Sequence, residues 1–168
     1  MIVTREDINK KEIAKNIEKL RNDHKELLSN FPIDPMMLAS KLGIKVYLVE
    51  FTDQSLSGGL RKNAEGTFEI YVNKNDGADR QRFTVAHELG HYILHTSGEA
   101  GFFEIVDLHR DGKVNVEEME ANEFAGSLLM PKDKVEELIN QNWDLHDLAK
   151  YFGVSLSAIG YKISLLGL

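Results

Sequence analysis

Apolar residues recur at helical spacing in the first part of the chain and again throughout its second half. Ile13, Ile17 and Leu20 mark one face of a first helix. A loose capping pair, Thr4 and Asp7, predicts that this helix begins at Thr4. Further helices are predicted at residues 36–42, 79–95, 116–129, 132–140, 145–152 and 156–166.

Between the second and third of these helices the pattern becomes typical of β-strands. Phe68, Ile70 and Val72 alternate along the chain and therefore share one face of a strand. The predicted strands cover residues 44–51, 58–61 and 67–72. We therefore predict an α+β fold that is mainly helical and contains a small three-stranded sheet, with antiparallel pairing as the simplest arrangement.

Composition limits the kinds of site that the chain can form. Of its 168 residues, 42% are hydrophobic and 28% are charged. A globular chain of this length buries roughly 70% of its unfolded surface, so it can form a core without covalent cross-links. The chain has no cysteine, which fits the reducing cytoplasm that we expect as its location. Any metal would be held by histidine and carboxylate side chains.

Charge and hydropathy disfavour two classes of partner. The formal net charge is −7, with 27 acidic against 20 basic residues, which argues against nucleic acid or anionic lipid as the main partner. No apolar run reaches the roughly 18 residues that a membrane-spanning helix needs. The charged N-terminus lacks the apolar core of a signal peptide. We expect neither nucleic acid nor a membrane as a partner.

Residues 82–91 contain the motif H-E-x-x-H in a helix-compatible context. His87 and His91 are one turn apart and about 40° apart around the axis, so both imidazoles can bind one Zn²⁺ ion. Glu88 lies about 100° around the helix from His87, beside the open position of the metal. There it can accept a proton from the attacking water. The motif alone is also compatible with two ordinary histidines on a helix.

A catalytic zinc site needs a third protein ligand, and the predicted helix 116–129 offers several acids. Glu118 lies at the edge of the apolar stripe of this helix, where a side chain can point toward the core. Glu117 is the rival by angle but sits at the frayed helix start. Glu120 points toward solvent on the same helical wheel and is the fallback ligand. Acids in a first turn are also favoured by the helix dipole without any metal. We predict Glu118.

Two further residues are predicted to lie near the zinc ligands without binding the ion. Asn122 follows Glu118 by one turn, and its amide can accept the spare N–H of a ligating histidine. His95 is about 12 Å from His87, which is too far for three ligands on one straight helix. We therefore expect His95 to cap the helix or to contact a zinc ligand without binding the ion. Residues 107–118 also resemble a calcium-binding EF-hand loop, but its third position is a histidine and no partner hand exists.

Most of the chain resembles the ImmA/IrrE family of bacterial metallopeptidases. The segments that carry the resemblance are residues 82–95, 118–131 and 148–155, with support from 57–60 and the strand ending at Asn73. The resemblance implies a zinc-dependent endopeptidase. Members of the family typically cleave a helix-turn-helix repressor of the Xre type and thereby release transcription, so a protein substrate of this kind is expected.

The site implied by the resemblance agrees with the motifs. It comprises one Zn²⁺ ion held by His87, His91 and Glu118, with Glu88 as the catalytic acid and base. Hydrolysis then proceeds by attack of water on a polarised peptide carbonyl.

The resemblance also suggests an organisation for the chain. We expect a zincin-like metallopeptidase domain at residues 1–142 and a helix-turn-helix-like tail at residues 143–168 that packs on it. By analogy, the strand 67–73 could pair with an extended substrate segment. Tyr92 and His109 are the candidates for stabilising the oxyanion.

Two non-enzymatic interpretations remain open. The spacing within residues 145–166 is that of a helix-turn-helix, which would make the protein a DNA-binding regulator. Its would-be recognition helix, residues 155–168, has only Lys162 as a basic residue, whereas phosphate binding needs several. These helices could instead pack on the catalytic core or bind a protein partner. The other interpretation is a zinc-containing protein that binds a repressor without cutting it.

Overall fold

A computed structural model describes residues 4–96 and 115–168, which form eight helices and three strands. The helices are α1 (Lys10–Asp23), α2 (Lys25–Leu28), α3 (Pro35–Lys41), α4 (Ala78–His95), α5 (Val116–Leu129), α6 (Lys132–Asn140), α7 (Leu145–Phe152) and α8 (Leu156–Leu166). The strands are β1 (Lys45–Val49), β2 (Gly58–Lys62) and β3 (Phe68–Asn73). The fold is α+β and mainly helical, as predicted. In the described ranges, no helix combines the length and apolar character needed to cross a membrane.

The first helix begins later than predicted. Thr4 and Asp7 do pair, with the backbone N–H and the hydroxyl of Thr4 donating to the carboxylate at 2.6 and 3.1 Å. They close an isolated turn, however, because the helix proper is capped by Asn9, whose side chain accepts the backbone N–H of Glu12. The predicted apolar stripe is buried at Ile13, Ile17 and Leu20.

The three strands form a mixed sheet in the order β1-β3-β2. β2 and β3 make an antiparallel hairpin in which Leu60 pairs with Ile70. β1 runs parallel to β3, with Val46 beside Ile70, so the expectation of a purely antiparallel sheet was wrong. Apolar alternation indicates which face of a strand is buried, but it carries no information on the direction of the neighbouring strand.

β3 is the central strand, and both of its edges are paired. It therefore has no free edge for a further strand, and the prediction that residues 67–73 pair with a substrate was wrong. Within residues 4–96 and 115–168, β1 and β2 are the edge strands of this sheet.

α4 packs against α3, α5, β2 and β3. Its buried residues are Thr84, Val85, Ala86, Glu88, Leu89 and Gly90. Gly90 faces α5 so closely that a Cβ on it would lie 3.1 Å from the Cα of Ala121 and 3.1 Å from the ring of Phe124. The missing side chain lets the two helices approach each other, which brings the histidines of α4 near the acids of α5.

The C-terminal helices α7 and α8 meet at a turn in which Gly153 adopts a φ of 64°. The guanidinium of Arg82, on α4, donates to the carbonyl oxygen of Gly153 at 2.7 Å. Phe152 and Ile159, on either side of the turn, are fully buried. The turn is thereby tied to the helix that carries the H-E-x-x-H motif.

Candidate metal centre

α4 presents its two motif histidines to the same point, as the one-turn spacing predicts. The Nε2 atoms of His87 and His91 are 3.1 Å apart. The side chains are only 12% and 15% exposed. Two imidazole nitrogens therefore converge in a largely dehydrated position.

α5 brings a carboxylate to the same point from the opposite side. The side chain of Asn115 caps the helix by accepting the backbone N–H of Glu118 at 2.8 Å, which places Glu118 in the first turn, where the helix dipole favours a negative charge. One carboxylate oxygen of Glu118 lies 2.7 Å from Nε2 of His91, and the other lies 3.4 Å from Nε2 of His87. By contrast, Glu117 is exposed.

The donor atoms of His87, His91 and Glu118 all lie within 4.8 Å of one another. In a tetrahedral site with zinc–ligand bonds of about 2.0–2.1 Å, neighbouring ligand atoms are about 3.3 Å apart. The observed separations of 3.1, 2.7 and 3.4 Å are close to that spacing. Two imidazoles and one carboxylate also form a donor set used by catalytic zinc sites, which leave a fourth position open. The residues present therefore fit the ion.

The electrostatics of this cluster favour a cation. Burial of Glu118 opposes its charged form, but hydrogen bonds with His87 and His91 outweigh burial and hold the pKa of the carboxyl well below its usual range. Burial likewise opposes the charged form of His87, yet the hydrogen bond to Glu118 and the charges of Glu88 and Glu118 raise its pKa. Both shifts show that positive charge at this point is stabilised by the surrounding carboxylates.

The ring nitrogen of His87 that faces away from the cluster, Nδ1, has the partner that was predicted. It lies 2.9 Å from Oδ1 of Asn122. The amide oxygen accepts the Nδ1–H, which keeps a proton on that nitrogen and directs Nε2 of His87 at the cluster.

The corresponding nitrogen of His91 contacts His95, for which the sequence had predicted only a capping role or a contact with a zinc ligand. Nδ1 of His91 lies 3.1 Å from Nδ1 of His95, and Nε2 of His95 lies 2.9 Å from the carboxylate of Glu120. The predicted exposure of Glu120 was wrong, since its side chain is only 15% exposed. The helical wheel missed this contact because it shows one helix and not the neighbour that covers it. Glu120 faces His95 and lies outside the donor cluster that the two motif histidines form with Glu118.

A groove of about 790 Å³ contains the cluster and Glu88. Glu88 is 8% exposed and lines this groove beside the two histidines. Strand β2, helix α4 and the C-terminal tail also contribute to the lining, which includes Gly58, Gly59, Leu60, Phe83, Thr84, Val154, Ser155, Ala158 and Tyr161. The tail and β2 were not predicted as walls of the site. The only signal for the tail was the family resemblance at residues 148–155.

Of the two oxyanion candidates, Tyr92 receives no support from the geometry. The ring of Tyr92 packs edge-on against Phe68 at a centroid distance of 5.0 Å, and Tyr92 is not among the residues that line the groove. His109 lies outside the described residues, as does most of the EF-hand-like stretch 107–118. Glu118, the last position of that stretch, contacts His87 and His91.

Comparison with known proteins agrees with the site. Residues 39–164 match the family model Peptidase_M78, described as the IrrE N-terminal-like domain. The chain is 29% identical over 125 residues to metallopeptidase ImmA of Bacillus subtilis (strain 168), covering 73% of this chain and 72% of ImmA. It is 31% identical over 121 residues to uncharacterized immunity region protein 2 of Bacillus phage phi105, covering 72% and 73% of the two chains.

The fold also occurs in a solved structure, that of a Mycobacterium tuberculosis transcriptional regulator, with a TM-score of 0.60 and 16% sequence identity. The match covers 95% of this chain and 48% of the regulator, so the chain spans about half the length of that structure. At this identity the likeness shows a common fold. The family match spans most of the chain and includes both helices of the His87, His91 and Glu118 cluster. The chain therefore belongs to the Peptidase_M78 family of metallopeptidases, which is defined by the IrrE N-terminal-like domain.

Proposed function

We propose that the protein is a zinc-dependent endopeptidase that cleaves an Xre-type helix-turn-helix repressor in the cytoplasm and thereby releases the genes under its control. The observation that carries the proposal is the convergence of His87, His91 and Glu118 in a groove that Glu88 also lines. Membership in a metallopeptidase family supports the reaction type.

In this proposal His87, His91 and Glu118 hold one Zn²⁺ ion. When bound, zinc supplies a Lewis acid that polarises the scissile carbonyl and makes the attacking water more acidic. The protein's part is to present two unprotonated imidazole nitrogens and one carboxylate in a fixed arrangement. The buried negative charge of Glu118 supports the choice of a divalent cation.

Glu88 acts as the general base and then as the general acid. Its carboxylate accepts the proton of the attacking water and delivers it to the nitrogen of the leaving amine. The charge of Glu88 contributes to the raised pKa of His87, which supports a position close to the cluster. Its burial supports a proton-transfer role, because a carboxylate in a water-poor groove exchanges protons with its bound partner and not with bulk solvent.

The substrate binds in an extended conformation along β2. Among the residues that the structure describes, this strand has one unpaired edge, and Gly58, Gly59 and Leu60 line the groove beside the cluster. An extended segment can add to such an edge through backbone hydrogen bonds. In this proposal β2 takes the role that the sequence had suggested for β3.

We assign the catalytic unit to residues 1–142 and a helical tail to residues 143–168. Ala158 and Tyr161 of the tail line the groove, which supports a role in holding the substrate. The DNA-binding alternative is weakened by Lys162, the one basic residue of the would-be recognition helix, which is only 8% exposed. A repressor as substrate is supported by the phage relative, which is named for an immunity region.

The test is to incubate the zinc-loaded protein with purified Xre-type repressors, beginning with any that is encoded next to its own gene. We expect the wild type to cut the repressor, Glu88→Gln to keep zinc but cut about 10²- to 10⁴-fold more slowly, and His87→Ala to lose both. Glu18→Gln, at an exposed position of α1, is the matched control. If Glu88→Gln cuts the repressor as fast as the wild type does, Glu88 is not the catalytic residue. If the wild type binds the repressor without cutting it, the protein is a scaffold.

A further inference from the structure

His95 lies between a proposed zinc ligand and a carboxylate. Its Nδ1 is 3.1 Å from Nδ1 of His91, and its Nε2 is 2.9 Å from the carboxylate of Glu120. The side chains of His95 and Glu120 are 10% and 15% exposed. Water therefore has little access to replace either contact.

The positions of the protons on His91 and His95 follow from Glu120, the acceptor at the end of this series of contacts. An ionised carboxylate can only accept hydrogen bonds, so Nε2 of His95 must carry the proton that Glu120 accepts. In a neutral ring Nδ1 of His95 is then the acceptor. It can accept only from an Nδ1–H on His91. His91 thereby keeps a proton on Nδ1, and the proton that a metal ion would displace is the one on Nε2, which faces the carboxylate of Glu118 at 2.7 Å.

The N-terminal segment holds the carboxylate in place. The backbone N–H of Asn9 donates to Oε1 of Glu120 at 2.9 Å, while Oε2 faces His95. Both oxygens of Glu120 thus have a donor from a different part of the chain. Asn9 is itself fixed because it caps α1 through Glu12.

We propose that Glu120 and His95 are positioning residues that fix the tautomer of His91, and that the backbone of Asn9 anchors them. The two histidines of the cluster are therefore oriented differently: Asn122 acts directly on His87, whereas Glu120 acts on His91 through His95. The inference rests on the proposed zinc site, because it concerns the nitrogen that His91 offers to the ion.

We call the series of contacts from Glu120 through His95 to His91 the relay. Glu120→Gln tests which nitrogens donate and which accept along it, with almost no change in side-chain volume. The amide oxygen must accept the N–H of Asn9, so the NH₂ group faces His95 and donates to it. His95 then carries its proton on Nδ1 and donates to Nδ1 of His91, which must therefore be unprotonated. The only proton of His91 is then on Nε2, the nitrogen that the metal needs. We expect the affinity for Zn²⁺ to fall about 10- to 100-fold, the range for partners of metal ligands.

His95→Phe removes both ring nitrogens of the relay and is the second variant. We expect a similar loss of zinc affinity, and no further loss in the double variant His95→Phe/Glu120→Gln, because Glu120 acts only through His95. His146→Phe and Glu18→Gln, at exposed positions of α7 and α1, are the matched controls and should bind zinc as the wild type does.

Two measurements on the full chain give the answer. Zinc affinity is measured by competition with a chelator, and the tautomers of His91 and His95 are measured by ¹⁵N NMR of the imidazole rings in the metal-free protein. We expect the wild type to show protons on Nδ1 of His91 and Nε2 of His95, and Glu120→Gln to show a proton on Nδ1 of His95 and none on Nδ1 of His91. A purely structural role would lower the free energy of unfolding but leave the tautomers and the zinc affinity unchanged.

The outcomes separate this inference from the proposed function. A wild-type protein that binds no zinc overturns the zinc site and the relay with it. If the wild type binds zinc no more tightly than His95→Phe and Glu120→Gln do, the relay is overturned and the zinc site is not. Unchanged ring tautomers in Glu120→Gln also overturn the relay, whatever the zinc affinity.

Discussion

Gly90 and Ala121 face each other where the two helices of the metal centre, α4 and α5, pack together. A Cβ on Gly90 would lie 3.1 Å from the Cα of Ala121 and 3.2 Å from its carbonyl oxygen. Gly90 is adjacent in sequence to His91, and Ala121 is one turn beyond Glu118. This contact therefore determines how far the histidines of α4 stand from the carboxylate of α5.

Gly90→Ala should push the two helices apart by a few tenths of an ångström. Overpacking typically costs about 1–3 kcal/mol, which exceeds the gain of roughly 0.5–1 kcal/mol from replacing a helical glycine. We expect a lower free energy of unfolding in urea and weaker zinc binding, because the ligands on α4 and α5 move apart.

Gly160→Ala is the matched control, since it also replaces a helical glycine but its Cβ would meet nothing within 4 Å. It should stabilise the protein by roughly 0.5–1 kcal/mol and leave zinc affinity unchanged. Equal behaviour of the two variants would contradict the role of the Gly90 contact.

Gly153→Ala should destabilise the protein and detach the C-terminal turn from α4. The residue has a φ of 64°, and its Cβ would collide with the guanidinium of Arg82 and lie 2.9 Å from the Cβ of Pro32. We expect a loss of about 2 kcal/mol or more, from left-handed backbone strain of about 1–2 kcal/mol and from the collision. Gly167→Ala, at φ 72° with nothing within 4 Å, carries only the strain. Urea denaturation of both variants gives the difference.

Lys162 should make the stability of the protein depend on pH in the alkaline range. Burial lowers the pKa of its ammonium below the ordinary value, although the charge of Glu123 acts in the opposite direction. Between the folded and unfolded pKa values the unfolded chain binds more protons, so stability rises with pH in that interval and levels off above the unfolded value.

Lys162→Met should remove this rise, because it replaces the amine with an apolar side chain of similar length. The measurement is the free energy of unfolding in urea at pH 7 and at about pH 10, relative to Lys150→Met at an exposed position of α7. A parallel pH dependence in wild type and Lys162→Met would show that the buried amine is not its source.

Zinc should stabilise the folded protein by mass action. A ligand at 100 times its dissociation constant adds about 2.7 kcal/mol to the free energy of unfolding if it binds only the folded state. We expect this gain in the wild type and in Glu88→Gln, and little or none in Glu118→Ala. Thermal unfolding with zinc and after treatment with a chelator measures it. An equal gain in Glu118→Ala would exclude Glu118 as a ligand.

Local pattern was sufficient for most elements and for the residues of the cluster. The one-turn spacing of His87 and His91, and the position of Glu118 beside an apolar stripe, are properties of single helices. The α+β class followed from the change between helical and alternating periodicity. The start of α1 was misjudged because Thr4 and Asp7 form a capping contact that closes only a turn.

The order of residues was therefore enough to predict most of the helices and strands, the family, and the three residues that form the His87, His91 and Glu118 cluster. Four further features could be found only in the folded chain: the parallel pairing of β1 with β3, the one-sided pairing of β2 among the described residues, the contribution of the tail to the groove, and the burial of Glu120 against His95. Each of these depends on which segments distant in sequence lie side by side. Periodicity reports only the environment of one segment at a time, so it cannot identify the neighbour that creates that environment.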